Sequence, residues 1–240
     1  MSVDELKDVL SNLPKSDALA PAEIEAKAEG LGVTKTSMSF RQSFMLSIMA
    51  GAFIAMGAMF FLLVSGDPDL PFAVQRVLGG ALFSLGLLLV IVCGAELFTG
   101  NTMIVMSAAS KKITWGSVIK NWIVVFVGNF VGALIIVGLV YLSGMHTMNG
   151  GIVGQTMVSV ASGKMTPDWL TLFAKGIMCN FLVCLAVWIG YAGKTVADKM
   201  LGILLPIAAF VACGFEHCVA NMFFLPMGIL LSSVGIVPAG

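Results

Sequence analysis

Two short polar motifs interrupt otherwise apolar sequence, and they carry the residue types able to do chemistry. Cys93-Gly94-Ala95-Glu96-Leu97-Phe98-Thr99-Gly100-Asn101 returns, 120 residues on, as Cys213-Gly214-Phe215-Glu216-His217-Cys218-Val219-Ala220-Asn221. The common frame is C-G-x-E-x-x-x-x-N, and Glu96 and Glu216 are the only glutamates after Glu29. A carboxylate in an apolar medium is costly unless it is paired or neutralised. Two such costs at matching places point to a duplicated polar break inside a membrane protein, the mark of an internally repeated channel or transporter. Glu96 and Glu216 could bind a transported ion or carry a proton. Recurrence of the same residue favours a structural role, with each carboxylate capping a broken helix by accepting backbone N–H groups. His217 departs from the symmetry, because Leu97 stands in its place in the first motif. A neutral imidazole can give or take a proton near neutral pH, so His217 is the better functional candidate; the plain alternative is a hydrogen-bonded core histidine.

The elements that must hold these motifs follow from length and hydropathy. Apolar residues make up 58% of the chain and charged residues 11%, against about 25% charged in a soluble domain. The chain therefore reads as an all-α, polytopic membrane protein, and its zero net charge offers nothing to nucleic acid. Residues 44–64 form one uncharged span. Residues 77–110 carry Glu96 as their only charge before the terminal lysines; one straight helix of that length would rise about 50 Å, too long for a ~30 Å hydrocarbon core. A helix broken near 94–100 fits better. Residues 122–143 are a third span, with Gly128-xxx-Gly132 permitting close helix contact. A Gly/Ser/Thr-rich connection covers 144–164, a fourth span 176–192, and residues 200–237 are again long and again broken, near 214–221. Such breaks leave backbone groups unpaired, which is tolerable at membrane depth only against protein or a water-lined cavity. The two breaks are expected to meet.

The spacing predicts a polar N-terminal arm over residues 1–43. Ser2 and Glu5 fit a capping box, Val3, Leu6, Val9, Leu10 and Leu13 fall at helical spacing, and a second short helix runs from Pro21 to Gly30. The channel domain then covers 44–240, with repeat one at about 44–143 and an incomplete repeat two at about 164–240. An odd number of spans separates the motifs, so the second copy is inverted. Span three starts near Asn121, so its partner is expected near residue 241, and a sixth span is expected to be missing from this chain. Eight cations (Lys27, Lys35, Arg41, Lys111, Lys112, Lys120, Lys194, Lys199) flank the spans on one side and three (Arg76, Lys164, Lys175) on the other, which predicts a cytoplasmic N-terminus. Trp115, Trp122 and Tyr191 would mark the inner interface, Tyr141 and Trp169 the outer. The five cysteines lack metal-ligand spacing and read as buried free thiols. His146, in a polar loop, reads as solvent-exposed and Lys164 as an isolated loop charge. Asn180 is either helix–helix glue or a pore-lining donor. Phe83, Leu87 and Phe210 could line a pore or simply pack.

Four segments together resemble the formate/nitrite transporter family: A-E-L-F-T-G at 95–100, K-N-W-I-V-V-F-V-G-N at 120–129, C-N-F-L-V-C-L-A-V-W at 179–188 and G-F-E-H-C-V-A-N-M at 214–222. The resemblance implies a homopentamer of aquaporin-like protomers in the inner membrane of a prokaryote, each protomer with its own pore. It puts Leu97, Phe98 and Thr99 on a loop in the broken second helix. Phe83 and Phe210 fall on an outer constriction, Leu87 and Leu97 on an inner one, and Phe98 is counted with the constrictions. Thr99, Asn180 and His217 fall on a central chamber and Lys164 on an outer vestibule that attracts anions, while Glu96, Asn101, Glu216 and Asn221 hold the breaks. The implied function is passage of a small monovalent weak-acid anion, formate first and nitrite or hydrosulfide as alternatives, with His217 lending a proton. No enzyme activity and no cofactor or metal is expected. A membrane enzyme lacks a convergent catalytic set here. A neutral-solute pore of aquaporin type lacks the repeated NPA tripeptide.

Overall fold

The structure, a computed structural model, describes residues 2–5 and 18–238. Within residues 2–5 the expected capping box is present: the Ser2 amide donates to Glu5 Oε2 and the Glu5 amide to Ser2 Oγ. The apolar stripe expected through Leu6, Val9, Leu10 and Leu13 lies outside the described residues.

Among the described residues every labelled element is helical. They are α1 (Pro21–Ser37), α2 (Phe40–Ser65), α3 (Phe72–Cys93), α4 (Phe98–Asn101), α5 (Val105–Ala109), α6 (Trp115–Leu142), α7 (Ile152–Met165), α8 (Trp169–Ala192), α9 (Val196–Ala212) and α10 (Cys218–Ser233). Four of these, α2, α3, α6 and α8, are long and apolar enough to cross a membrane. Their outward faces carry exposed Ile123, Phe126, Leu139, Phe173 and Phe181, the surface a lipid environment accepts. The long apolar runs at 77–110 and 200–237 are divided as expected, into α3 with α4 and α5, and into α9 with α10.

Helix α2 packs on α3 and α6, α9 on α3 and α8, and α10 on α6 and α7. Small residues let α2 and α6 approach to backbone contact. A Cβ placed on Gly132 would lie 1.9 Å from the Ile48 carbonyl oxygen, and one on Gly51 1.9 Å from that of Asn129. No rotamer change relieves an overlap with backbone, so the two helices would have to separate. Gly132→Val is therefore expected to lower the melting temperature in detergent sharply, beyond the ~1–3 kcal/mol typical of an overpacked core. Gly138→Val, where a Cβ meets nothing within 4 Å, is the control and should melt like the parent.

Two stretches differ from the sequence expectation. Helix α1 does not stop at Gly30 but runs to Ser37. Docking overrides the local glycine signal: the Ser107 hydroxyl donates to the Glu29 carbonyl at 2.8 Å, and Gly32 lies directly against Ser107. The connection at 144–164 holds a 14-residue helix, α7. Its Gly/Ser/Thr content reads as loop, yet Val153, Met157, Val158 and Ala161 are buried on one face, with Ala161 against Gly228 of α10. Helix α7 precedes α8 as α1 precedes α2, so the arm and the connection occupy corresponding places in the two halves.

Side chains also depart from expectation. His146 is half-buried, stacked on Tyr141 with centroids 5.2 Å apart, rather than free in solvent. Trp122 is half-buried, and its indole N–H donates to the Asn101 carbonyl at 2.9 Å. All five cysteines are free, but only Cys179 is buried, while Cys93, Cys213 and Cys218 are exposed.

Candidate functional site

The repeated motif builds nearly the same turn twice. Helices α3 and α9 each end before a glycine held left-handed, Gly94 at φ 70° and Gly214 at φ 74°, a conformation that costs a β-carbon but not glycine. The Ala95 amide then reaches back to the Val90 carbonyl (2.9 Å) and the Phe215 amide to Phe210 (3.0 Å). The glutamate amides turn outward to a neighbouring span, Glu96 to the Leu46 carbonyl of α2 (3.2 Å) and Glu216 to the Lys175 carbonyl of α8 (3.4 Å). The non-helical stretches are thus 94–97 and 213–217, shorter than expected, since α4 and α10 resume at Phe98 and Cys218.

The carboxylates do not cap backbone, which corrects the sequence reading. Glu96 takes the Lys35 ammonium at 2.6 Å and the Asn101 side-chain amide at 2.7 Å. Glu216 takes the Lys164 ammonium at 2.9 Å and the Asn221 amide at 2.8 Å. Each break is therefore tied by a Lys–Glu–Asn set whose lysine comes from the preceding helix, α1 or α7. Lys164 stands 129 residues after Lys35, as Lys175 stands 129 after Leu46, so both outside partners keep one register. Lys164 is consequently no isolated charge: it is salt-bridged, and it also lies 5.2 Å from the centroid of the Phe224 ring.

Caps come from elsewhere, and here the two halves part. His217 is the N-cap of α10, its Nδ1 accepting the Ala220 amide at 3.0 Å. Leu97 holds the same place before α4 and has no acceptor. Asn129 of α6 substitutes: its Oδ1 accepts the Phe98 amide at 2.9 Å, and its Nδ2 donates to the Ser47 and Glu96 carbonyls at 2.7 and 2.9 Å. With Nδ1 accepting, a neutral His217 must carry its proton on Nε2. Nε2 lies 2.9 Å from Thr99 Oγ1, so the imidazole donates and the hydroxyl accepts. This contact joins the two breaks directly.

Around it sits a buried plug. Thr99 and His217 are buried, as are Phe83, Phe210, Leu87 and Leu97. Phe210 stacks on His217 with centroids 5.7 Å apart, and Phe83 meets Phe210 edge-on at 5.6 Å. A cavity opens on either side of the plug, and the two share no lining residue. The Leu-side cavity, about 300 Å³, is bounded by Leu87, Leu97, Glu96 and arm residues including Lys27 and Lys35. The Phe-side cavity, about 280 Å³, is bounded by Phe83, Phe210, His217, Lys164 and Glu216. In the first, partial burial and then the nearby Lys199 charge hold the Lys27 ammonium below the usual lysine range. The arrangement is a polar point between two apolar constrictions, each open to its own positively charged vestibule.

Two expected pore residues lie elsewhere. Phe98 bounds neither cavity; as the first residue of α4 it faces α6, its ring against Phe126 at 5.1 Å and Trp122 at 6.3 Å. Asn180 does not touch His217. Its Nδ2 donates to Thr102 Oγ1 at 2.9 Å, and that hydroxyl donates to the Thr99 carbonyl at 2.7 Å, so Asn180 reaches the plug through Thr102. Its buried Oδ1 has no hydrogen-bond partner among the described residues. The sequence reading missed Asn129, Thr102 and the pairing of Lys35. The available signal for Asn129 was an uncharged polar side chain inside an apolar span, which a membrane helix keeps only at a cost.

Comparison with known proteins agrees with this geometry. The sequence pattern of the family described as Formate/nitrite transporter matches residues 22–239. The chain is 43% identical over 216 residues to the formate channel FocA of Escherichia coli (strain K12), covering 90% of this chain and 76% of that one. It is 42% identical to FocA of Haemophilus influenzae over the same shares. A solved structure titled pentameric formate channel with formate bound superposes with a TM-score of 0.78 at 41% identity, covering 82% of this chain and 77% of that one. With nearly the whole chain matched, and broken helices that meet at a buried polar point, this multi-pass membrane protein belongs to the formate/nitrite transporter family.

Proposed function

We propose that this chain conducts a small weak-acid anion, formate in the first place, through the plug between its two cavities, and that it works as a homopentamer with a pore in each protomer. The observation that carries this reading is the Thr99–His217 contact: an imidazole Nε2–H held against a buried hydroxyl, between aromatic and leucine constrictions. A bare carboxylate entering such a slit loses its hydration, at a cost of several kcal/mol. The Nε2–H of His217 is the polar group placed to meet it, and formate can replace Thr99 as the acceptor. Lending a proton as well requires the imidazolium, whose Nδ1–H can no longer accept from Ala220. Proton transfer to the anion is therefore coupled to release of the α10 cap. The basic residues of α1, of the 110–120 connection and of the 193–199 turn support a cytoplasmic N-terminus, with the Leu-side cavity inside and the Phe-side cavity outside.

The test is swelling of proteoliposomes under inward gradients of formate, nitrite, hydrosulfide and glycerol, followed by light scattering. Formate is expected to give the fastest entry and glycerol none above protein-free vesicles. Faster nitrite or hydrosulfide entry reassigns the substrate within the family, and glycerol entry overturns the anion reading.

A further inference from the structure

We propose that Arg76 and Lys175 form an anion-docking site in the Phe-side cavity, which takes a small monocarboxylate before it reaches Phe83 and Phe210. This rests on the anion-conducting reading above. Four charged side chains bound that cavity: Arg76, Lys164, Lys175 and Glu216. Lys164 and Glu216 neutralise each other at 2.9 Å. The uncompensated positive charge is therefore on the other two cations, not on Lys164. Neither Arg76 nor Lys175 forms an ion pair among the described residues, and both are half-buried.

Both cations are anchored to the same break. Arg76, on α3, donates from Nε to the Ala212 carbonyl at 3.0 Å and from Nη2 to that of Val211 at 2.7 Å. These are carbonyls at the C-terminal end of α9, where the helix no longer supplies its own donors; that of Val211 also accepts the Gly214 amide at 3.0 Å. The guanidinium is thereby fixed in one plane, while Nη1 keeps both of its N–H donors without a protein partner among the described residues. Lys175 is fixed at its backbone, where its carbonyl receives the Glu216 amide, and its ammonium makes no hydrogen bond to the described residues. The remaining wall is largely apolar, with Phe61, Phe83, Phe210, Phe215 and Phe224 as its aromatic members. Low-dielectric walls focus the field of two like charges into the space between them. A planar fork of donors suits a carboxylate, and a volume of about 280 Å³ holds a one- to three-carbon acid with part of its hydration shell.

The test uses Lys175→Gln and Lys175→Glu, because the Lys175 side chain makes no hydrogen bond among the described residues. Formate flux is measured in vesicles of known protein orientation, with formate added on either side. At ~10 mM inert salt, Lys175→Gln should raise the half-saturating formate concentration about threefold and Lys175→Glu about tenfold, with maximal flux unchanged and the difference lost at ~500 mM salt. The rise should appear only for entry from the Phe side. An unchanged half-saturation in Lys175→Glu at low salt, or an equal change from both sides, overturns the proposal. A second readout does not depend on transport: formate should raise the melting temperature of the detergent-solubilised parent more than that of Lys175→Glu at low salt. A parent that carries no anion defeats the conduction reading, and the melting comparison still decides this one.

Discussion

Replacing His217 by phenylalanine should reduce formate flux roughly a hundredfold, the worth of one hydrogen bond to a charged group in a buried site. Phenylalanine fills much of the space of the imidazole and suits the stacking partner Phe210, so the plug stays closed. Two things are lost: the Nε2–H that faces Thr99 and the Nδ1 that caps α10. The second loss alone costs about 1 kcal/mol of stability and confuses the comparison. His217→Asn separates them, because asparagine is a preferred N-cap residue. That variant should melt like the parent, yet its formate flux should no longer depend on pH, and it should pass chloride better relative to formate. The measurement is anion flux and single-channel current across pH for both variants beside the parent. Undiminished, pH-dependent formate flux in His217→Phe would reduce His217 to a cap and a packing residue.

The second large effect is expected at Glu96. Its carboxylate is almost wholly buried and is joined to Lys35 of α1 and to Asn101 within its own motif. Glu96→Ala leaves the partly buried Lys35 ammonium at the edge of the Leu-side cavity with the Asn101 oxygen, 2.9 Å away, as its remaining partner among the described residues. Breaking one side of a buried pair typically costs about 3–5 kcal/mol, whereas replacing both charges by apolar groups is often close to neutral. The double variant Lys35→Met with Glu96→Met should therefore melt nearer the parent than Glu96→Ala does, although it removes more charge. Melting in detergent, followed together with protease sensitivity of the arm, checks this. If Glu96→Ala alone leaves both unchanged, the pair is not what holds α1 to the first break.

The contrast between the motif copies shows where reading the chain succeeds. C-G-x-E-x-x-x-x-N repeats because each position has a local duty. Glycine takes the positive φ, the residue after it returns its amide to the helix just ended, and the asparagine five residues on from the glutamate reaches back to that carboxylate. Such duties depend on neighbours within one turn of chain, so identity and spacing disclose them. The same holds for the division of the long apolar runs, since a helix cannot outgrow the bilayer without breaking. The partner of each carboxylate was not legible. Lys35 and Lys164 sit 61 and 52 residues from the glutamates they neutralise, and counted along the chain they were one arm charge and one loop charge. Nor was the helical state of α7, whose glycines and serines signal a loop until one face is buried against α10.

What the sequence by itself determined was the class of object: apolar runs of bilayer length, two inverted polar breaks, and a single histidine where symmetry predicts leucine. These follow from composition, length and repetition, which need no third dimension. Only the tertiary structure decided what each polar group does. It gave His217 a capping duty and so fixed which nitrogen carries the proton. It sent Asn129 to do for α4 what Leu97 cannot, turned Phe98 toward α6, and left Arg76 and Lys175 as the uncompensated cations of their cavity. The reason is that a buried polar group answers to whichever donor or acceptor the packing brings within 3 Å, and packing of separate spans is a long-range property that no local pattern encodes.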